Sequence, residues 1–164
     1  MKSVVVDGYN LIHQAPSFRS MLKDGLERCR EAVVACCAQW LSLRRDVQEF
    51  LIVFDGDPSV QRVNALPTRI RVVFSRVRKG ADEAIIRHVQ ALPDPSGCTV
   101  ITDDDAILRA VRLLGARTLP CRDFLRTARG RRAPDRSPTD GKNGLTPLQR
   151  ARINDELLQA WNLR

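Results

Sequence analysis

Three short apolar runs in this chain each end on aspartate. Val4-Val5-Val6 leads into Asp7-Gly8, Leu51-Ile52-Val53-Phe54 into Asp55-Gly56, and Thr99-Val100-Ile101-Thr102 into Asp103-Asp104-Asp105. A fourth acid, Asp82, stands where a helical pattern begins after Gly80-Ala81. A single acid of this kind means little, because Asp-Gly is common turn chemistry, Asp caps helices well, and an acid in a first helical turn is favoured by the helix dipole. Repetition means more: ligands of an open parallel α/β sheet bind outside the carboxyl ends of its strands, so these acids would converge. Asp7, Asp55, Asp82 and Asp104, with Asp103 beside it, are hard oxygen ligands suited to Mg2+ or Mn2+, ions that keep waters and bind phosphates. Without a cation such carboxylates would repel and raise one another's pKa, so the cluster implies a metal. The ion would activate water and orient a phosphodiester, and a pair about 3.5–4 Å apart would clamp both the attacking and the leaving oxygen. Asn10, three residues past Asp7, can position a phosphate or hold Asp7.

Competing chemistries find little material. The two histidines are His13 and His88, and His88 falls on an apolar helical face, which leaves no basis for a zinc site or a His-based triad. Ser3, Ser75 and Thr102 have no evident base beside them. The five cysteines, Cys29, Cys36, Cys37, Cys98 and Cys121, are odd in number and form no CxxC pair. That usage fits a reducing compartment, and Cys29 and Cys36, seven apart on a helical face, read as small core residues rather than ligands. Gly141-Lys142-Asn143-Gly144 lacks the GxxxxGK[ST] spacing of a phosphate-binding loop.

The elements that must carry the acids follow from periodicity. The pattern predicts strands at Val4–Val6, Glu49–Phe54, Ile70–Phe74, Cys98–Thr102 and Arg117–Pro120. Between them it predicts a long amphipathic helix from about Ser20 to Arg45, with Leu22, Leu26, Cys29, Val33, Cys36 and Trp40 on its inner face. Arg28, Arg30, Arg44 and Arg45 form its solvated side by default. A second helix starts at Ala81, buries Ala81, Ile85, His88, Val89 and Leu92, and stops before Pro93. A third runs from Ala106 to Leu114 and ends at Gly115, while residues 56–69 read as a loop. Strands alternating with helices make a parallel, doubly wound α/β sheet the economical solution.

The chain has 164 residues, enough for one domain with a sizeable core. It is 43% hydrophobic and only 5% aromatic, the aliphatic composition of a covered parallel sheet. No apolar run approaches the roughly 18 residues of a membrane span, and the Val4–Val6 run is too short for a signal peptide, so the expectation is a cytoplasmic protein without a membrane partner. A net charge of +8 favours a polyanionic partner such as nucleic acid or the ribosome. Acids at strand ends within a basic surface are what a metal-dependent enzyme acting on a polyphosphate needs. Residues 126–145 contain Arg129, Arg131 and Arg132 among Pro, Gly and Ser, and read as a basic linker. Thr146-Pro147-Leu148-Gln149 has the capping pattern of a final helix over 146–164.

Val6-Asp7-Gly8-Tyr9-Asn10-Leu11-Ile12, Val53-Phe54-Asp55-Gly56, Gly80-Ala81-Asp82-Glu83 and Val100-Ile101-Thr102-Asp103-Asp104 resemble, in order, the motifs of the YacP-like NYN domains of the PIN-like nuclease superfamily. The resemblance covers roughly residues 2 to 125, within an expected nuclease domain over 1–125. It implies a Rossmann-like three-layer α/β/α sandwich with a mainly parallel sheet, and Mg2+- or Mn2+-dependent endoribonuclease activity, in some members on ribosome-associated RNA. It places catalytic and metal-binding roles on Asp7, Asn10, Asp55, Asp82 and Asp104, with products ending in 5′-phosphate and 3′-hydroxyl. Asp103 stands where the family often has Ser or Asn, which leaves open whether Asp103 or Asp104 faces the metal, and Ile86 stands where it often has a further acid. Arg76, Arg78 and Lys79, with Arg129, Arg131 and Arg132, would grip the RNA backbone. A non-catalytic RNA- or ribosome-binding module and a small-molecule phosphohydrolase are the alternatives.

Overall fold

The computed structural model describes residues 2–56, 69–75 and 80–129. Five strands, β1 (Lys2–Asp7), β2 (Val47–Asp55), β3 (Ile70–Ser75), β4 (Cys98–Ile101) and β5 (Arg117–Leu119), form one sheet in the order β3-β2-β1-β4-β5. Every pairing is parallel. The order reverses direction at β1, with β2 on one side and β4 on the other, which is the switch point where such sheets open a crevice.

Alternate residues of the central strands enter two different cores. Val4, Val6, Phe50, Ile52 and Phe54 pack on one face against α1 (Gly8–Gln14), α2 (Pro16–Met21), α3 (Leu26–Ser42) and α6 (Cys121–Arg129). Val5, Leu51, Val53 and Val100 pack on the other against α4 (Gly80–Gln90) and α5 (Asp105–Leu113). The result is the expected three-layer α/β/α sandwich, and burial on both faces is why the strands are written as unbroken apolar runs. Val5, Val6 and Ile52 are fully buried. Burial of that kind stabilises by about 1.5–3 kcal/mol per side chain. It holds the strand ends, and the acids on them, at fixed heights.

Three helical expectations need correction. The long helix predicted from Ser20 is broken: Pro16 starts the short α2, a 3-10 turn follows at Leu22–Asp24, and Gly25, at φ 119°, lets α3 begin only at Leu26. Leu26 is 42% exposed, and the inner face of α3 is Cys29, Ala32, Val33, Cys37 and Trp40 instead. On α4 the buried residues are Ala81, Ile85 and Val89, while His88 is only half-buried. Residues 126–129, where the basic linker is expected to begin, complete α6. Phe124 and Leu125 bury that helix, and the Trp40 indole N–H donates to Thr127 Oγ1 at 3.1 Å, while Arg122 and Arg126 stay outside. The rest of the expected linker and the expected helix over 146–164 lie outside the described residues, as does most of the 56–69 loop. No described helix is long and apolar enough to cross a membrane.

Candidate active site

Asp7 is the last residue of β1 and the N-cap of α1. Its Oδ1 accepts the Asn10 backbone N–H at 3.1 Å, and its Oδ2 accepts the Thr102 hydroxyl at 3.1 Å. The cap explains why the chain turns into a helix straight after the strand. Gly8 makes the turn possible in a second way, because any Cβ there would overlap the Phe54 ring. Asp7 is 7% exposed, and its pKa is raised to about 6. Burial is the main cause; the two donated hydrogen bonds oppose it, and the charges of Asp82 and Asp104 add to it.

Asp55 ends β2 and is held by donors from two other elements. Its Oδ1 accepts the Ser75 hydroxyl at 2.5 Å and the Ala81 backbone N–H at 3.0 Å. The second bond places the first turn of α4, which carries Asp82, against Asp55, and the charge of Asp82 bears on Asp7. Asp104 follows β4 and caps α5, its Oδ1 accepting from the N–H groups of Ala106 at 2.8 Å and Ile107 at 3.2 Å. Its own N–H donates to Thr102 Oγ1 at 3.1 Å.

Asp103 and Asp104 differ in where each carboxylate acts. The charge of Asp104 bears on Asp7, whereas that of Asp103 bears on Cys121. Asp103 Oδ1 accepts the Cys121 backbone N–H at 3.3 Å, turning the side chain toward α6. The Asp103 N–H donates to Asn10 Oδ1 at 3.1 Å, and the Cys121 thiol, at 3.4 Å, donates to the same oxygen. With Oδ1 claimed by two donors, the Asn10 amide presents its Nδ2 as the free end among the described residues. Burial, followed by the charge of Asp103, pushes the Cys121 thiol well above its usual range, so it stays a neutral donor.

The structure therefore sets Asp55, Asp7 and Asp104 at the ends of the adjacent strands β2, β1 and β4, lets the charges of Asp82 and Asp104 bear on Asp7, and directs the Asp103 carboxylate toward α6. No group of three or more His, Cys, Asp or Glu side chains among the described residues forms an assembled metal-ligand set. The donor chemistry still fits a hard divalent cation: the converging groups are all oxygens, and Asp55 and Asp104 each hold one carboxylate oxygen in a hydrogen-bond frame that leaves the other available. Arg76, Arg78, Lys79, Arg131 and Arg132, and the Arg129 side chain at the end of α6, lie outside the described residues.

Several contributors carry no motif of their own. Thr102 and Ser75, which the sequence leaves without an evident partner, each orient one of the acids. Cys121 reaches Asn10 across 111 residues of chain. Arg30, expected on a solvated face, is half-buried beside Tyr9 and Asp55. The strand-end position of Ser75, paired with Asp55 in register, was the available signal for one of them.

Comparison with known proteins agrees with this fold. The chain is 28% identical over 129 residues to the uncharacterized protein YacP of Bacillus subtilis (strain 168), covering 77% of this chain and 74% of that one. It shares its fold with the crystal structure of Rae1 (YacP) from Bacillus subtilis, at a TM-score of 0.66 and 23% identity over 98% of this chain and 82% of the other. A point mutant of that protein gives a TM-score of 0.65 at 22% identity, over 99% of this chain and 86% of the other. The family model of the YacP-like NYN domain matches residues 4–163, well past the four motifs. With that match over nearly its whole length, the chain belongs to the YacP-like NYN domain family and is a nuclease-like domain of an RNA-related class.

Proposed function

We propose that this chain is a metal-dependent endoribonuclease that hydrolyses RNA phosphodiester bonds, with RNA on the ribosome as a candidate substrate. The observation that carries the reading is the placement of Asp55, Asp7 and Asp104 at the carboxyl ends of the adjacent parallel strands β2, β1 and β4, with Asp82 in the first turn of the helix that is hydrogen-bonded to Asp55 through the Ala81 N–H. Asp7, Asp55, Asp82 and Asp104 are the residues that would hold a Mg2+ or Mn2+ ion, which when bound supplies an activated water and neutralises charge on the phosphodiester. The chain's own groups do the rest. Thr102 and the Asn10 N–H keep the Asp7 carboxylate in one orientation. The Asn10 amide, its oxygen held by Asp103 and Cys121, offers Nδ2 to a phosphate oxygen. Below about pH 6 Asp7 is protonated in the metal-free protein and competes poorly for a cation. Arg76, Arg78, Lys79, Arg129, Arg131 and Arg132 supply salt-sensitive backbone contacts, and the products carry 5′-phosphate and 3′-hydroxyl ends.

The test is a gel of end-labelled structured RNA with and without Mn2+, run beside Asp7→Asn and repeated on translating ribosomes. Metal-dependent fragments that vanish in Asp7→Asn are the expected result. The absence of an assembled three-acid ligand set among the described residues favours a second reading, a non-catalytic RNA- or ribosome-binding module. A retarded but uncut band in every lane, on ribosomes as well, selects that reading.

A further inference from the structure

The acids of the first two motifs are accounted for by the cluster, but their neighbours Gly8, Tyr9, Phe54 and Gly56 are not. All four converge on Arg30 of α3. The guanidinium carbon of Arg30 lies 5.5 Å from the Tyr9 ring centroid, 5.8 Å from that of Phe54 and 5.2 Å from that of Phe74. Tyr9 meets Phe54 edge-on, and Phe54 stacks on Phe74 at 5.6 Å, so the three rings form a continuous wall. Gly8 lets the Phe54 ring approach, since a Cβ there would overlap it. Gly56, at φ 115°, brings the chain past Arg30, and a Cβ at that position would stand 3.3 Å from Nη2.

The guanidinium is also oriented by hydrogen bonds. Nε and Nη2 both donate to the Tyr9 hydroxyl, and Nη2 reaches the Asp55 carbonyl oxygen at 3.4 Å. Nη1 has no partner among the described residues, and no carboxylate among them pairs with this arginine. The cation is half-buried and held by three rings and one hydroxyl, and its Nη1 donors, unclaimed among the described residues, are open to an anion. Its place beside the ends of β1 and β2 puts those donors near Asp55. With Nε and Nη2 engaged, the N–H groups of Nη1 are the donors left for a phosphate oxygen, and the held guanidinium fixes their direction.

We propose that Arg30 is a substrate-binding residue whose fixed guanidinium contacts a phosphate of the RNA strand on the Asp55 side of the acid cluster, with Tyr9 as its positioning residue. This rests on the ribonuclease reading above. Arg30 is a specificity element for a polyanion: it neutralises backbone charge that the neighbouring acids would otherwise repel.

The experiment measures RNA binding by fluorescence anisotropy across a salt series in an Asp7→Asn background, where cleavage does not interfere. Arg30→Gln is expected to weaken affinity about tenfold, as loss of one charge-assisted hydrogen bond does, and to lower the salt slope by about 0.7, one phosphate contact on a single strand. Arg30→Lys restores the slope but only part of the affinity, because it keeps the charge and loses the orientation that the Tyr9 and Asp55 bonds impose. Tyr9→Phe keeps the ring, removes the accepting hydroxyl and gives a smaller loss with the slope unchanged. Thermal melts establish that each variant is folded, and if Arg30→Gln is not, Arg30→Lys and Tyr9→Phe carry the test. A folded Arg30→Gln with the parent's affinity and slope overturns the proposal while leaving the ribonuclease reading intact. A parent protein that binds no RNA overturns both.

Discussion

The Thr102 hydroxyl donates to Asp7 Oδ2 and accepts the Asp104 N–H, each at 3.1 Å, so that one fully buried side chain ties the acid at the end of β1 to the acid after β4. Thr102→Val keeps the shape and removes both functions. Asp7 loses a donor that lowers its pKa, and the Asp104 N–H loses its acceptor. The expected cost is about 1–3 kcal/mol, the range for a buried polar group left unpaired. The pKa of Asp7 should move further above about 6. Denaturant unfolding at pH 7 measures the first, and carboxyl NMR titration the second; an unchanged titration would sink the role assigned to Thr102.

Asp7 makes the metal-free protein pH-sensitive with a definite sign. Its folded pKa, about 6, is above the ordinary 3.8, so the native state holds a proton that the unfolded state releases between those values. Stability from this group is therefore greatest below about pH 3.8 and falls as pH rises to about 6, by about 3 kcal/mol in all. Asp7→Asn removes the penalty. In EDTA the variant should melt above the wild type at pH 7, with the gap closing toward pH 4. Equal melting temperatures at pH 7 would show that the burial penalty on Asp7 is absent.

How much of this was legible beforehand depended on how local each signal was. The strand ends were legible because strands buried on both faces appear as continuous Val, Ile and Leu runs, and the three acids follow them directly. The helices α1 and α2 were not, because Gly8 looks like a turn residue and Pro16 interrupts any period. Asp103 and Asp104 were indistinguishable as neighbours after one strand; the capping bonds from Ala106 and Ile107 to Asp104 separate them. Arg30 looked like one more exposed arginine, because its ring partners Tyr9, Phe54 and Phe74 come from three other elements.

Cys121 supplies a further test of the site's wiring. Its thiol and the Asp103 N–H together fix which end of the Asn10 amide faces outward. Cys121→Ser keeps a donor in the same place, whereas Cys121→Val fills the space without one. The pair isolates the hydrogen bond from the packing. With cleavage as the readout, Cys121→Val should lower kcat several-fold with KM little changed, and Cys121→Ser should recover most of the loss. Equal activity of the two variants would show that Asp103 alone orients Asn10.

Metal binding can be read without any activity. A ligand that binds only the native state raises its stability by about 2.7 kcal/mol at a concentration of 100 Kd. Mn2+ or Mg2+ should therefore raise the melting temperature of the wild type, and the rise should be larger at pH 7.5 than at pH 5, because Asp7 must lose its proton to act as a ligand and does so near pH 6. Asp7→Asn and Asp82→Asn should each flatten the response, whereas Asp103→Asn, whose carboxylate is turned toward Cys121, should leave most of it in place. A wild-type melt indifferent to both ions would remove the metal from the proposed chemistry. A response lost in Asp103→Asn but kept in Asp82→Asn would place the ion on the α6 side of the crevice instead.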